Sequence, residues 1–150
     1  MKHYVTPEQF APIEDAPATI DDFAIKSLNL PYHIEAGAYA LVKVPDNWDG
    51  KLAVRAMFKA NGVPGGEVSM FVSANFYPEG AATPTNSASV TLCADVSGSA
   101  GNVCASSIEE IDCSGCSGTV LNIKVQVDTE GTTEDMTTDL VMLELFIGTY

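Results

Sequence analysis

Residues 37–59 read Gly37-Ala-Tyr-Ala-Leu-Val-Lys-Val-Pro-Asp-Asn-Trp-Asp-Gly-Lys-Leu-Ala-Val-Arg-Ala-Met-Phe-Lys59. Two runs of period two flank a turn. In the first, Ala38, Ala40, Val42 and Val44 share one face, and Tyr39, Leu41 and Lys43 the other. In the second, Leu52, Val54, Ala56 and Phe58 oppose Lys51, Ala53, Arg55, Met57 and Lys59. Successive side chains of a strand point to opposite faces, so this alternation predicts half-buried strands of an antiparallel sheet. Between them, Pro45-Asp46-Asn47-Trp48-Asp49-Gly50 carries the turn signals, with Asp-Gly the sharpest.

The pattern continues toward the C-terminus. In 67–77, Val68, Met70, Val72, Ala74 and Phe76 face one way, while Phe71 and Tyr77 join the polar face with Ser69, Ser73 and Asn75. Segments 88–96 and 119–127 alternate in the same manner, and Cys93 falls on the polar face of the first. The last segment, 139–150, is apolar on both faces: Val141, Leu143, Leu145 and Ile147 on one, Leu140, Met142 and Phe146 on the other. Such a strand is central in a sheet or lies in a subunit interface. Six strands are clear, and eight result if residues 103–112 and the N-terminus contribute. Many short strands with turns between them, no βαβ alternation and no repeat predict an all-β, antiparallel β-sandwich of jelly-roll type.

Residues 1–31 differ, with Pro7, Pro12, Pro17 and Pro31 among short apolar groups. They read as an N-terminal arm before a sandwich domain at 32–150. Thr19 and Asp22 have the spacing of a helix start, so one short helix is expected, carrying Ile20, Phe23, Ala24 and Leu28 as a stripe. Ser107 and Glu110 predict a further helical turn. Phe23 and Leu28 of the arm, with Leu140, Met142 and Phe146 of the last strand, are the candidate interface residues.

The chain has 150 residues and a net charge of −13, from 20 acidic and 7 basic side chains. A surface this acidic repels phosphate backbones and anionic bilayers, so neither nucleic acid nor a membrane is an expected partner. No apolar stretch reaches the length of a membrane helix, and the N-terminus lacks the pattern of a signal peptide. Synthesis in a cytoplasm is expected.

No catalytic set emerges. His3 and His33 have no assignable carboxylate or hydroxyl partner. The pairs Asp21-Asp22, Glu109-Glu110 and Glu134-Asp135 are adjacent, which on a strand sends them to opposite faces. The acidic loop 128–135 lacks the spacing of an EF-hand. Gly62, Gly65 and Gly66 lie in a hairpin connection, not in a phosphate-cradling loop. Cys93, Cys104, Cys113 and Cys116 contain one close pair, where a four-cysteine zinc site needs two. Thiols, disulfides pinning 97–118 and a metal site remain open for them, with metal the poorest match to the spacing. No cofactor is implied. Trp48, Phe71 and Tyr77 are the candidate surface aromatics that could stack on sugars, although Trp48 in its tight corner also reads as a plug over one end of the sandwich.

The strand–corner–strand from Ala38 to Val54, with its Val-Pro and Asp-Asn-Trp-Asp-Gly corner, resembles a pattern in structural proteins of tailed phages. The final strand to Ile147-Gly148-Thr149-Tyr150 is similar to the last strand of those modules. They are single jelly rolls, often trimeric. The resemblance implies a virion protein, not an enzyme: a capsid cement or decoration protein, a homotrimer on the capsid surface that binds the major capsid protein. The alternative is a tail- or head-fibre module that binds a host receptor or glycan. The 97–118 stretch has no counterpart in that pattern.

Overall fold

A computed structural model describes residues 2–13, 19–21, 27–31, 36–46, 48, 50–60, 67–84, 86–95, 103–128 and 140–148. It is all-β: two antiparallel sheets packed face to face as a jelly-roll sandwich. The strands are β1 (Lys2–Val5), β2 (Ala11–Pro12), β3 (Thr19–Asp21), β4 (Ser27–Leu30), β5 (Gly37–Lys43), β6 (Lys51–Ala60), β7 (Glu67–Tyr77), β8 (Asn86–Asp95), β9 (Val103–Ala105), β10 (Glu109–Asp112), β11 (Val120–Val127) and β12 (Leu140–Gly148). The back sheet has five strands in the order β2-β5-β11-β7-β8. The front sheet has seven, with the path β10-β6-β12-β4-β3, β1 beside β12 and β9 beside β6.

The alternation read from the sequence sets which face each strand buries. Ala38, Ala40 and Val42 of β5, Leu121, Ile123 and Val125 of β11, and Val68, Met70, Val72 and Phe76 of β7 form the inner face of the back sheet. Leu52, Val54 and Ala56 of β6, Ile111 of β10, and Leu145 and Ile147 of β12 meet them from the front sheet. Each fully buried large apolar side chain contributes about 1.5–3 kcal/mol. The Lys51–Glu110 ion pair, at 3.2 Å with both side chains more than 60% exposed, contributes about 0–1 kcal/mol. The core, not the charge pattern, holds the fold.

The last strand is apolar on both parities for a local reason. Along β12, Met142 pairs with Phe58, but Glu144 pairs with the next residue of β6, Met57, so the ladder slips by one residue at Leu143. A bulge of this kind inverts which parity faces inward. Met142 points into the core before it, and Leu145 and Ile147 after it. The pattern expected to mark a subunit interface is thus produced within one chain. Leu28 and Met142 are fully buried in the sandwich's own core and offer no surface to a neighbour. Phe23 and the side chain of Leu140 lie outside the described residues.

The N-terminal segment packs on its own sandwich and joins both sheets. β1 pairs with the end of β12, Tyr4 opposite Phe146. β2 pairs with β5 across the back sheet. The helix expected from Thr19 onward is replaced by strands: β3 and β4 pair with each other, Ile20 opposite Leu28, and β4 pairs with the start of β12. Leu28 and Leu30 alternate into the core, and that burial outweighs the weak stability of a two-turn helix. Among the described residues the short helix lies instead at Pro7–Gln9, a 3-10 turn whose entry is held by the Thr6 N–H donating to Gln9 Oε1 at 2.9 Å.

The helical turn expected at 107–110 is likewise absent. Glu109–Asp112 is a strand on the edge of β6, which sends Ile111 inward opposite Leu52. Ser106 bridges β9 and β10: its N–H donates to Ala56 O, and its Oγ accepts from Ala56 N–H, both at 2.9 Å. Ser107 ties this edge to β8, its N–H donating to Cys93 O at 2.7 Å.

Candidate functional site

Past the bulge, Glu144 and Phe146 point away from the core, onto the outer face of the front sheet. Strict alternation would have turned both inward. There Arg55 of β6, Phe146 of β12 and Tyr4 of β1 stand in one row across three strands, because Arg55 and Tyr4 are the direct partners of Phe146 on either side. The next row holds Met57 beside Glu144. These five residues line a cavity of about 150 Å³ that opens to solvent. Tyr4 is 51% exposed and forms its lip. Phe146 is 7% exposed, and the two rings lie 5.3 Å apart at 57°.

Arg55 is the only arginine of the chain. Its Nε is shut off from water and has no hydrogen-bond partner among the described residues. Leaving such a donor unmet costs about 1–3 kcal/mol, so a ligand oxygen that reached it would recover that energy. A guanidinium offers donors in a fixed fork, and the Glu144 carboxylate offers acceptors two residues along the same face. With an aromatic wall beside them, the pocket presents donor, acceptor and apolar surface to one small polar ring. Its size suits a single ring-sized group rather than the larger molecules that fill pockets above roughly 300 Å³.

The residues singled out in the sequence fall in three places. Phe146, expected at a subunit interface, lines this pocket. Phe71 and Tyr77 lie on the outer face of the back sheet, which they share with Tyr39 and Leu41 of β5 across the intervening β11. Trp48 is half-buried. It packs against the core and its Nε1–H donates to Cys113 Sγ at 3.0 Å, contacts that suit a plug over the end of the sandwich.

The Cys113-Ser-Gly-Cys116 pair belongs to the same plug. Both cysteines are buried. Cys113 Sγ donates to Gly50 O at 2.6 Å, and Gly118 N–H donates to Pro45 O at 3.2 Å, binding this turn to the 45–50 corner. Gly118 has φ +71, and a Cβ there would stand 3.1 Å from Asp46 Oδ1, so glycine is needed. No group of three or more His, Cys, Asp or Glu side chains is placed to hold a metal among the described residues.

Sequence reasoning missed Tyr4, Arg55, Met57 and Glu144. Two signals pointed there: the lone arginine on the outward parity of β6, and the last strand with both parities apolar.

No protein-family model and no curated protein matches this chain. Solved structures do, at the level of fold. The chain is similar to the CBM22-2 xylan-binding domain of Paenibacillus barcinonensis Xyn10C, with TM-score 0.59 and 9% identity over 98% of this chain and 99% of that one. It is similar to a family 35 carbohydrate-binding module from Clostridium thermocellum, with TM-score 0.56 and 13% identity over 100% and 99%. It is also similar to the CBM22-1–GH10 modules of Clostridium thermocellum xylanase 10B in complex with xylohexaose, with TM-score 0.55 and 15% identity over 97% of this chain. It spans only 27% of that protein. These likenesses establish a jelly-roll sandwich shared with carbohydrate-binding modules.

Proposed function

We propose that this chain is a non-catalytic carbohydrate-binding module that seats one sugar unit in the pocket of Tyr4, Arg55, Met57, Glu144 and Phe146. The observation that carries the reading is the Arg55 Nε, buried and unmet among the described residues, beside a carboxylate and a tilted aromatic pair. A pyranose has the matching chemistry: hydroxyls that accept from the guanidinium and donate to Glu144, and C–H faces that lie on aromatic rings. The jelly-roll likeness to binding modules supports this reading. Of the expectations drawn from the sequence, this reading keeps the glycan-binding alternative. The cement-protein expectation drew on a two-sided last strand, and the bulge at Leu143 accounts for that pattern without a second subunit.

The test is affinity electrophoresis and calorimetry of the whole chain against xylan, β-1,3-galactan and cellulose. Arg55→Gln and Glu144→Gln should each weaken binding about tenfold or more, in line with the loss of a central polar anchor. If the wild-type chain binds and both variants bind equally well, the pocket is not the site.

A further inference from the structure

The outer face of the back sheet presents a different surface. Tyr39 is 42% exposed, Leu41 66% and Phe71 39%, an unusual concentration of bare apolar side chains for so acidic a chain. Register places them around β11: Tyr39 and Ser73 flank Lys124, Leu41 and Asn75 flank Asn122, and Phe71 lies beside Gln126. Ser87, Ser89 and Thr91 of β8 extend the rows. From Lys43 and Tyr77 at one end to Phe71 and Thr91 at the other, the outward positions of these four strands hold hydroxyls, amides and two lysines, and no carboxylate. Asn122 Oδ1, near the centre, is buried and accepts no hydrogen bond among the described residues.

We propose that this face is a second saccharide-binding surface, separate from the pocket, that takes an uncharged polysaccharide chain laid across the strands. It shares the ligand class of the pocket reading and none of its residues. Three observations select that occupant. Neighbouring strands lie about 4.8 Å apart, so Tyr39 and Phe71, two strands and two residues apart, are too distant for one sugar ring and suited to an oligomer. The polar groups between them are the Lys124 ammonium, the Gln126 amide and the Ser73 hydroxyl, each of which pairs with a neutral hydroxyl. A second copy docked face to face would cover Lys124 with a surface that carries no carboxylate to pair it, an unfavourable arrangement. The two saccharide surfaces then lie on opposite sides of one sandwich, so a single domain bridges two polysaccharide chains.

The experiment compares wild type, Tyr39→Ala/Phe71→Ala and Leu41→Asp, each with and without Arg55→Gln, in affinity electrophoresis on xylan and β-1,3-galactan and in cellulose pull-down. Thermal unfolding midpoints within about 4 °C of wild type show that the fold is kept. Leu41→Asp sits at the most exposed of these positions and serves if the double variant does not fold. The expected result is a loss of polymer affinity of at least fivefold from the back-face variants in both backgrounds, with xylobiose or galactobiose binding sensitive to Arg55→Gln alone. Back-face variants that match wild type in both backgrounds overturn this proposal and leave the pocket intact. Binding lost by the back-face variants and untouched by Arg55→Gln upholds this face and overturns the pocket. A concentration-dependent dimer that Leu41→Asp dissolves, with polymer affinity unchanged, overturns it in favour of self-association. Wild type binding none of the polymers overturns both readings.

Discussion

The two outer faces of the sandwich differ although the same alternation builds both. On the back sheet, β5, β11 and β7 run in unbroken register, so each strand keeps one parity outward along its length. On the front sheet one extra residue, Leu143, breaks the register of β12 and brings Glu144 and Phe146 to the outside beside Arg55. The bulge makes the recess; the regular ladder makes the platform. A single slip in register therefore separates a pocket with opposed charges from a face of amides, rings and two lysines that carries no carboxylate.

The largest expected effect tests that slip. With it Leu145 faces the core, and without it Leu145 would face solvent as Glu144 now does. Leu145→Asp should therefore bury an uncompensated charge, which costs about 3–5 kcal/mol. For a chain of this size that lowers the thermal midpoint by about 10 °C or abolishes folding. Calorimetry of the variant checks it. A midpoint within a few degrees of wild type would show that the bulge does not set the parity of β12.

Next is Phe146→Ala set against Phe71→Ala. Phe146 is nearly buried under Tyr4, whereas Phe71 is 39% exposed on the platform. The first should lose about 2–3 kcal/mol of stability and the second less than about 1 kcal/mol. Urea denaturation of the pair separates a recess wall from a surface ring. Equal losses would mean that both faces are packed alike.

How much of this was legible in the sequence follows the same division. The platform strands are legible, because a ladder without slips keeps its period in the sequence: Phe71 and Tyr77 fall among the polar residues of their strand, and Tyr39 and Leu41 fall opposite Ala38, Ala40 and Val42. The pocket did not. Tyr4 and Phe146 come from opposite ends of the chain, and only strand pairing brings them together. The bulge left a trace, two apolar parities on one strand, but that trace is shared by strands buried on both sides. The short strands at Thr19–Asp21 and Ser27–Leu30 were hidden for a related reason. Over so few residues a helical stripe and a strand alternation overlap, and the choice is made by the core they meet. At Trp48 the corner motif admits a stacking ring or a plug, and the contact with Cys113, far off in sequence, is not visible in that motif.

A smaller effect distinguishes function from stability within the pocket. Arg55→Met removes the unmet buried donor and keeps the apolar stem, so it should leave stability unchanged or raise it by about 1 kcal/mol while weakening saccharide binding about tenfold. The same exchange at Lys124, on the platform, removes no buried unmet donor and should not stabilise. Paired denaturation and calorimetry measure both. A clear loss of stability in Arg55→Met would show that the guanidinium already has its partner within the chain.

The smallest effect is in acid. Carboxylates lie on the outer face of the front sheet, Glu110, Asp112 and Glu144, and the platform between Lys43 and Phe71 has none. Asp112 is held below its ordinary value of 3.8 mainly because the Ser114 N–H donates to its Oδ1 at 3.0 Å, with the Ser114 hydroxyl and the Lys51 charge adding to this. A carboxylate whose value is depressed by folding contributes stability that is present above its unfolded value and is lost as pH falls through the folded one. The contribution should therefore be complete at neutral pH and fade below 3.8. Asp112 is fully exposed, so the effect is slight, but it is local to one face. In Asp112→Asn, hydrogen exchange of the turn after β10 should become less sensitive to pH across that window, and exchange along β5 and β7 should not change. Equal loosening of both faces in acid would remove the electrostatic half of the contrast and leave the bulge alone to explain it.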